Sequence, residues 1–190
     1  MEETTVSQSA SSVCPVERAG SLDSRFRRWL QNPRKILRPY IEEGMTAVDI
    51  GCGPGFFSIE MARMVGATGR VIACDLQQGM LDKVRDKISG TVLEERITLH
   101  KCEENTIGLS EPVDFILLFY MVHEVRNKAD FFAELATILR PGGSILIAEP
   151  PIHVSTSAFN RAVDMARDVG FVDVERPHLF FSKTVILKKG

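Results

Sequence analysis

The chain has 190 residues, 44% of them hydrophobic, which predicts one domain with a sizeable core. Its formal net charge of -2 argues against bulk binding of nucleic acid, although a local basic patch stays compatible with it. No apolar run approaches membrane-spanning length, and residues 1–12 lack the basic start and apolar centre of a signal peptide. The four cysteines are widely spaced and form neither a disulfide framework nor a zinc pattern. We therefore expect a cytoplasmic protein without a metal site.

The N-terminal part of the chain differs in composition from the rest. Residues 1–20 are rich in Ser, Thr and Glu and are predicted to form a flexible tail. Residues 21–44 are predicted to form a helical preface, with one basic and aromatic helix over residues 22–30. A second helix is predicted to begin at Asn32-Pro33 and to end at Gly44. Because the first helix joins aromatic to basic side chains, we expect this preface to act as a lid.

The remaining residues, 45–190, alternate between strand and helix patterns and are predicted to form the catalytic domain. The predicted strands lie near 46–50, 70–75, 96–100, 113–119 and 144–149, and the predicted helices lie near 56–66, 78–89 and 127–139. A helix near 157–169 and two short strands near 171–176 and 180–187 follow. Such alternation implies a parallel sheet that helices cover on both faces.

A glycine-rich turn joins the first predicted strand to the first helix of the core. Gly51, Gly53 and Gly55 follow an apolar run that ends at Asp49. Glycine lets the backbone approach a ligand closely, and the helix beyond the turn offers unpaired N–H groups to an anionic group. Asp75 ends the next strand, about 20 residues further on, where a carboxylate reaches ribose hydroxyls. The pattern therefore predicts a nucleoside cofactor.

The residue after the third glycine distinguishes two classes of cofactor. A dinucleotide fingerprint has glycine or alanine there, whereas this chain has Phe56. The motif Gly51-x-Gly53-x-Gly55 with a bulky next residue resembles the first motif of the class I S-adenosylmethionine-dependent methyltransferases. Met80-Leu81, the run from Val113 to Leu118 and the segment from Leu139 to Gly143 are similar to later landmarks of that family. The joint order and spacing of these motifs make the resemblance specific.

The resemblance covers residues 45–150 and implies both the fold and the cofactor. The implied fold is an α/β Rossmann-like three-layer sandwich, with a mostly parallel seven-stranded sheet and an antiparallel C-terminal strand. The implied cofactor is S-adenosyl-L-methionine, with S-adenosyl-L-homocysteine as the product. Ligands of such sheets bind beyond the carboxyl ends of the strands. The predicted cofactor-binding residues are Asp49, Gly51, Cys52, Gly53, Gly55, Phe57, Asp75, Leu76, Met80, Cys102, Glu103 and Phe119.

Two residues beyond the fourth predicted strand are candidates for catalysis. The ring of Tyr120 is placed to face the cationic sulfur, and its hydroxyl to reach the acceptor. His123 is a candidate base or orienting group for the acceptor, but a packing role is favoured about two to one. Because no substrate domain is inserted in the core, we expect a small-molecule acceptor, with no membrane partner and with nucleic acid disfavoured. The sequence leaves the acceptor and the oligomeric state open.

Four alternatives remain. An RNA or protein methyltransferase would use the basic preface and bind its substrate in a salt-dependent way. A nicotinamide-dependent oxidoreductase would bind a dinucleotide despite Phe56. A thiol-using arsenite methyltransferase would need its cysteines to converge, which the placement of Cys74 inside a predicted strand disfavours. A non-catalytic, cofactor-binding partner subunit would have the same core motifs.

Overall fold

The structure is a computed structural model that describes residues 31–190, so the predicted tail and the first preface helix lie outside the described residues. The helices of that range are α1 (Pro33–Leu37), α2 (Ser58–Met64), α3 (Gln78–Ile88), α4 (Lys128–Ile138) and α5 (Thr156–Asp168). The strands are β1 (Thr46–Ile50), β2 (Arg70–Asp75), β3 (Ile97–Lys101), β4 (Val113–Phe119), β5 (Leu139–Glu149), β6 (Phe171–Glu175) and β7 (Lys183–Lys189). A 3-10 turn, Val122–Glu124, follows β4.

These strands form one sheet in the order β3-β2-β1-β4-β5-β7-β6. The first five strands pair in parallel, whereas β7 lies between β5 and β6 and is antiparallel to both. β1 is central and buried at all five positions, as expected for a parallel strand that helices cover on both faces. The predicted fold class, a seven-stranded and mostly parallel Rossmann-like sheet with an antiparallel C-terminal strand, is confirmed.

Successive residues of each strand point to opposite faces, so the core has two halves. On one face, Ala47 of β1 packs with helices α1, α2 and α3. On the other face, Val48 packs with α4 and α5, whose buried side chains include Phe132 and Phe159. The side chains of Asn127 and Ser155 cap the N-termini of α4 and α5. Each accepts a hydrogen bond from a backbone N–H group in the first turn of its helix. The result is a three-layer sandwich.

The order of the strands also fixes where a ligand binds. From β1 the chain continues towards β2 and β3 on one side, and β4 and β5 lie on the other side. Helices therefore leave the sheet in opposite directions at β1 and β4, and a crevice opens between their carboxyl ends. Open α/β sheets bind ligands at such a switch point. The glycine turn after β1 and Tyr120 after β4 both lie at this crevice.

Two predicted boundaries are wrong. The helix that begins at Pro33 ends at Leu37, well before Gly44, because Pro39 has no backbone N–H to continue the helical hydrogen bonds. The fifth strand begins at Leu139, five residues before the predicted start, since Leu139 pairs with Val113 across a register shift. Neither change moves a predicted site residue. Within residues 31–190 no helix is both long and apolar enough to cross a membrane.

Candidate active site

A cavity of about 680 Å³ opens at the carboxyl edge of the sheet. Residues after β1, β2, β3 and β4 line it, together with the segment that precedes β7. It collects eleven of the twelve predicted cofactor-binding residues, namely Asp49, Gly51, Cys52, Gly53, Phe57, Asp75, Leu76, Met80, Cys102, Glu103 and Phe119. Tyr120 also lines it, whereas Gly55 and His123 do not. The role of each residue as a cofactor contact or catalytic group remains a prediction.

The glycine turn has a backbone that only glycine adopts without strain. Gly51, Gly53 and Gly55 have φ angles of +72°, +52° and +84°. A Cβ atom on Gly51 would lie 2.9 Å from Cβ of Met121, whereas a Cβ atom on Gly53 would meet no atom within 4 Å. The backbone of Gly53 therefore faces open space in the cavity, where a ligand can approach it directly.

Hydrogen bonds hold the turn against its neighbours. The N–H groups of Gly51 and Cys52 both donate to the carbonyl oxygen of Cys74, each at 2.9 Å. The ammonium group of Lys87, on α3, donates to the carbonyl oxygen of Pro54 at 2.7 Å. These contacts fix the turn before any ligand binds, so that little backbone ordering is needed on binding.

The carboxylate of Asp75 is the feature that best fits a nucleoside. It lies at the end of β2, is 7% exposed, and accepts N–H groups from Gly53 at 2.9 Å and Gln77 at 2.8 Å. A carboxylate has about four acceptor sites, so capacity remains for a ribose hydroxyl beside these backbone bonds. Burial raises the pKa of Asp75 above its usual value, and hydrogen bonds from Gln77, Gly53 and Leu76 oppose that rise.

Asp49 and Gly55 act mainly within the protein. Asp49 is 2% exposed, and its carboxylate accepts the hydroxyl of Ser58 at 2.5 Å, at the start of α2. A Cβ atom on Gly55 would lie 3.1 Å from the side chain of Val84 on α3. Gly55 therefore lets the turn pack closely on α3 and does not face the cavity. Its predicted role as a cofactor contact has no support from this geometry.

Aromatic side chains continue from the glycine turn to the end of β4. The rings of Phe56 and Phe57 meet edge to face at 5.1 Å, Phe57 lies 4.4 Å from Phe119, and Phe119 lies 4.4 Å from Tyr120. Phe56 is buried where a dinucleotide fingerprint needs a small residue, so its ring occupies the space that close strand–helix packing would use. These rings form an aromatic wall of the cavity between the glycine turn and the end of β4.

Tyr120 is held by its backbone and by its hydroxyl. Its φ angle of +60° is unfavourable for a bulky residue, by about 1–2 kcal/mol. Its hydroxyl donates to the carbonyl oxygen of Phe181 at 2.9 Å, accepts from Gln31 Nε2 at 2.6 Å, and lies 2.7 Å from Ser182 Oγ. A hydroxyl has one proton and two lone pairs. All of them are used here if Ser182 donates, so this arrangement favours a positioning role for Tyr120 over proton transfer.

His123 is engaged with a buried carboxylate. Its Nδ1 donates to Glu149 Oε2 at 2.6 Å, and its backbone N–H donates to Glu149 Oε1 at 3.1 Å. Glu149 is 2% exposed at the end of β5. The hydrogen bond that His123 donates to Glu149 raises the pKa of His123, and partial burial opposes the rise. Since His123 does not line the cavity, this geometry favours the packing role weighed beside the catalytic one.

Three cysteines lie near one another, contrary to expectation. Cys74 is in β2 as predicted, but its thiol interacts with that of Cys102, and this interaction and burial raise its pKa. Burial likewise raises the pKa of Cys52. Cys52 and Cys102 line the cavity, while Cys74 is wholly buried. Within residues 31–190 no group of three His, Cys, Asp or Glu side chains is placed to hold a metal ion. The raised pKa values indicate inert thiols.

The sequence predicted Cys102 and Glu103 after β3 as site residues but not the rest of that loop. Residues 104–107 also line the cavity, and Glu134 on α4 holds this segment. The carboxylate of Glu134 accepts from the Thr106 hydroxyl and from the N–H groups of Ile107 and Gly108, at 2.7–2.9 Å. No motif marks this contact, because the two segments are distant along the chain.

The sequence also did not assign a role to Phe180 and Phe181, which lie between β6 and β7 and line the cavity. Two adjacent phenylalanines in a connection between strands are an unusual use of large apolar residues. That pattern is a sequence signal for a ligand-binding surface. Gln31 lines the cavity as well, and the predicted lid residues that precede it lie outside the described range.

Comparison with known proteins adds a family. A family model described as a methyltransferase domain matches residues 47–143. A ubiquinone/menaquinone biosynthesis C-methyltransferase of Geobacter sulfurreducens is 27% identical over 124 residues, which are 65% of this chain and 48% of that protein. A demethylmenaquinone methyltransferase of Halalkalibacterium halodurans is 26% identical, over 66% of this chain and 50% of that protein. The chain spans about half the length of the curated relatives it matches.

Solved structures have the same fold. A crystal structure of a SAM-dependent methyltransferase from Aquifex aeolicus superposes with a TM-score of 0.84 at 26% identity, over 93% of this chain and 100% of that one. Fibrillarin of Aeropyrum pernix, with natively bound S-adenosyl-L-methionine, gives a TM-score of 0.62 at 18% identity, over 77% of this chain and 67% of that one. At that identity the second likeness concerns the fold alone.

Proposed function

The chain belongs to the class I S-adenosylmethionine-dependent methyltransferase domain family, and we propose that it transfers a methyl group from S-adenosylmethionine to a small-molecule acceptor. The prediction that S-adenosylmethionine is the cofactor is confirmed. The acceptor belongs to the proposal. The single observation that best supports the proposed function is the cavity at the switch point. Asp75, the glycine turn and an aromatic wall all line this cavity.

The described residues fit the cofactor. The Asp75 carboxylate is buried, faces the cavity and retains acceptor capacity for a ribose hydroxyl. The open space beside Gly53 lets the backbone approach the rest of the cofactor. Leu76, Met80 and Cys102 provide apolar surface near Asp75, which suits an adenine ring. When bound, the cofactor supplies an electrophilic methyl group on a cationic sulfur.

Methyl transfer of this type is an in-line displacement, so much of the acceleration comes from holding the acceptor close and aligned. Phe57, Phe119 and Tyr120 line the cavity, and aromatic faces tolerate a cation while they exclude water. No residue of this chain needs to act as a nucleophile. In the proposed mechanism Tyr120 orients the acceptor side of the cavity through its fixed hydroxyl.

Two considerations support a small acceptor. The curated relatives are named for methylation in quinone biosynthesis, where the acceptor is a small molecule. Within residues 31–190 the cavity is lined by seven carboxylates and by Arg126 as the one cation, which is unsuited to an RNA backbone. We also retain residues 21–44 as a proposed lid over the domain that follows, because Gln31 reaches Tyr120 from that side.

The test is turnover with methyl-labelled S-adenosylmethionine and a panel of quinols and phenols. We expect S-adenosylhomocysteine and a labelled small molecule to form together. Asp75→Asn is the matched variant, because it keeps the shape of the side chain and removes the charge. Label appearing only in added RNA or protein, and never in a small molecule, would contradict the proposed acceptor class. Binding of the cofactor without turnover of any acceptor would favour a non-catalytic partner subunit.

A further inference from the structure

The two ends of the cavity lie at different places along the sheet. Asp75 ends β2, whereas Phe180 and Phe181 precede β7. The segment before β7 meets Tyr120 at the end of β4, and β4 lies two strand steps, about 10 Å at about 4.8 Å per step, from β2. The end of the cavity at Phe180 and Phe181, called the β7 end below, is therefore separate from the carboxylate that we propose to bind the ribose, and we assign it to the acceptor.

Two phenyl rings dominate the β7 end of the cavity. Phe180 and Phe181 are 58% and 52% exposed, and their ring centroids lie 6.2 Å apart with planes inclined by 33°. Phe181 also has a φ angle of +54°, which is unfavourable for a bulky residue. Two large apolar rings exposed in a cavity, one on a strained backbone, are typical of a surface that a ligand covers.

The charges of the cavity limit what that ligand is. Arg126 is the one cation among the described lining residues, and it pairs with Glu104 at 3.3 Å. The lining residues that follow β4 and precede β7 include Tyr120, Met121, Phe180 and Phe181, which carry no charge, and Glu124, which carries one. An anionic acceptor would meet the carboxylates of the cavity, while Arg126 is already paired.

Tyr120 holds the backbone of the segment that contains Phe180 and Phe181. The Tyr120 hydroxyl donates to the Phe181 carbonyl and contacts the Ser182 hydroxyl, directly beside the two rings. Gln31 donates to the same hydroxyl at 2.6 Å. One side chain thus ties the end of β4 to the N-terminal segment and to the segment before β7.

We propose that Phe180 and Phe181 form the wall that binds an uncharged, planar ring of the methyl acceptor, with Tyr120 as the positioning residue for that wall. This inference rests on the proposed function and names the chemical class of its substrate. The wall favours flat apolar surface, because a planar ring stacks on phenyl rings, and the two side chains provide no partner for a charge.

The test uses three probes of similar outline with the full-length protein saturated in S-adenosylhomocysteine. The probes are 2-naphthol, which is planar and uncharged, 2-naphthoate, which is planar and anionic, and decahydro-2-naphthol, which is not planar. Calorimetry should give the tightest binding for 2-naphthol, by about tenfold over either of the others. Equal or tighter binding of 2-naphthoate would overturn the proposal.

Variants then locate the probe. Phe180→Ala and Phe181→Ala should each weaken 2-naphthol binding by about tenfold and leave S-adenosylhomocysteine binding unchanged. Val174→Ala is the control, since Val174 is equally exposed, at 54%, but does not line the cavity. Unchanged 2-naphthol binding in both phenylalanine variants would overturn this inference and leave the proposed function standing. Failure of the wild-type protein to bind S-adenosylhomocysteine would overturn both.

Tyr120→Phe separates positioning from simple support of the fold. It keeps the ring and removes the hydroxyl, so we expect weaker 2-naphthol binding and a modestly lower denaturation midpoint, with S-adenosylhomocysteine affinity nearly unchanged. If 2-naphthol affinity, S-adenosylhomocysteine affinity and the denaturation midpoint all fell sharply, the hydroxyl would have a structural role, which would contradict positioning. In turnover assays the same variant should raise KM for the acceptor more than it lowers kcat.

Discussion

Replacement of Asp75 by asparagine should nearly abolish cofactor binding while the fold survives. Each hydrogen bond from a ribose hydroxyl to a charged acceptor contributes about 1.5–3 kcal/mol. The asparagine oxygen still accepts one neutral bond, so the expected net loss is about 2–4 kcal/mol. Since 1.4 kcal/mol is a factor of ten, affinity for S-adenosylhomocysteine should fall roughly 30-fold to 1,000-fold.

The assay is calorimetry of S-adenosylhomocysteine binding, with urea denaturation of each variant beside it. Asp114→Asn is the matched control, because the Asp114 carboxylate also accepts a backbone N–H, that of Thr46 at 2.8 Å. Asp114 lies at the opposite edge of the sheet, where it also pairs with Arg140. That variant should retain wild-type affinity. Normal binding by Asp75→Asn would refute the assignment of Asp75 to the ribose.

The pH dependence of binding tests the same carboxylate. Burial raises the pKa of Asp75, and hydrogen bonds from a ligand favour its charged form. Affinity should therefore be full above that raised pKa and should fall as the pH is lowered through it. The asparagine variant has no such group, so its difference from the wild-type protein should shrink at low pH. A constant difference at every pH would contradict the argument.

Three further predictions concern the surrounding residues. Gly51→Ala should destabilise the protein by about 1–2 kcal/mol and weaken S-adenosylhomocysteine binding, because its methyl group meets Met121 at positive φ; denaturation and calorimetry measure both. His123→Ala should lower stability and spare cofactor affinity, since the buried Glu149 loses its partner. The pKa of His123 is raised in the folded protein, so the His123–Glu149 contact stabilises the fold fully below the pKa of histidine in the unfolded chain. This stabilisation is lost as the pH rises through the pKa of His123 in the folded protein, and denaturation at several pH values would test it. Cys52 should react with iodoacetamide more slowly in the folded than in the unfolded protein, because burial raises its pKa; equal rates would contradict this.

The cofactor half of the site could be predicted from the sequence because its signals are local. Gly51 and Gly53 need a backbone that other residues avoid, and Asp75 follows an apolar run at a fixed spacing. Strands β1, β2 and β4 are also largely apolar runs, so they begin and end where their patterns do.

The acceptor half could not be predicted, because it is assembled from contacts between distant segments. Tyr120 meets Gln31 and Ser182 across 89 and 62 residues of chain, and no local pattern marks those pairs. The early end of α1 is a local signal, because Pro39 cannot donate a helical hydrogen bond. The approach of Cys102 to Cys74 depends on the pairing of β2 with β3, which strand patterns alone do not specify.

The central claim, that the switch-point cavity binds an S-adenosyl nucleoside, is tested most directly by calorimetry with two ligands. S-adenosylhomocysteine and NAD both carry adenosine, but only the first matches a cavity in which Phe56 fills the space beside the glycine turn. We predict saturable binding of S-adenosylhomocysteine at one site and no measurable binding of NAD. Tighter binding of NAD than of S-adenosylhomocysteine would contradict the account.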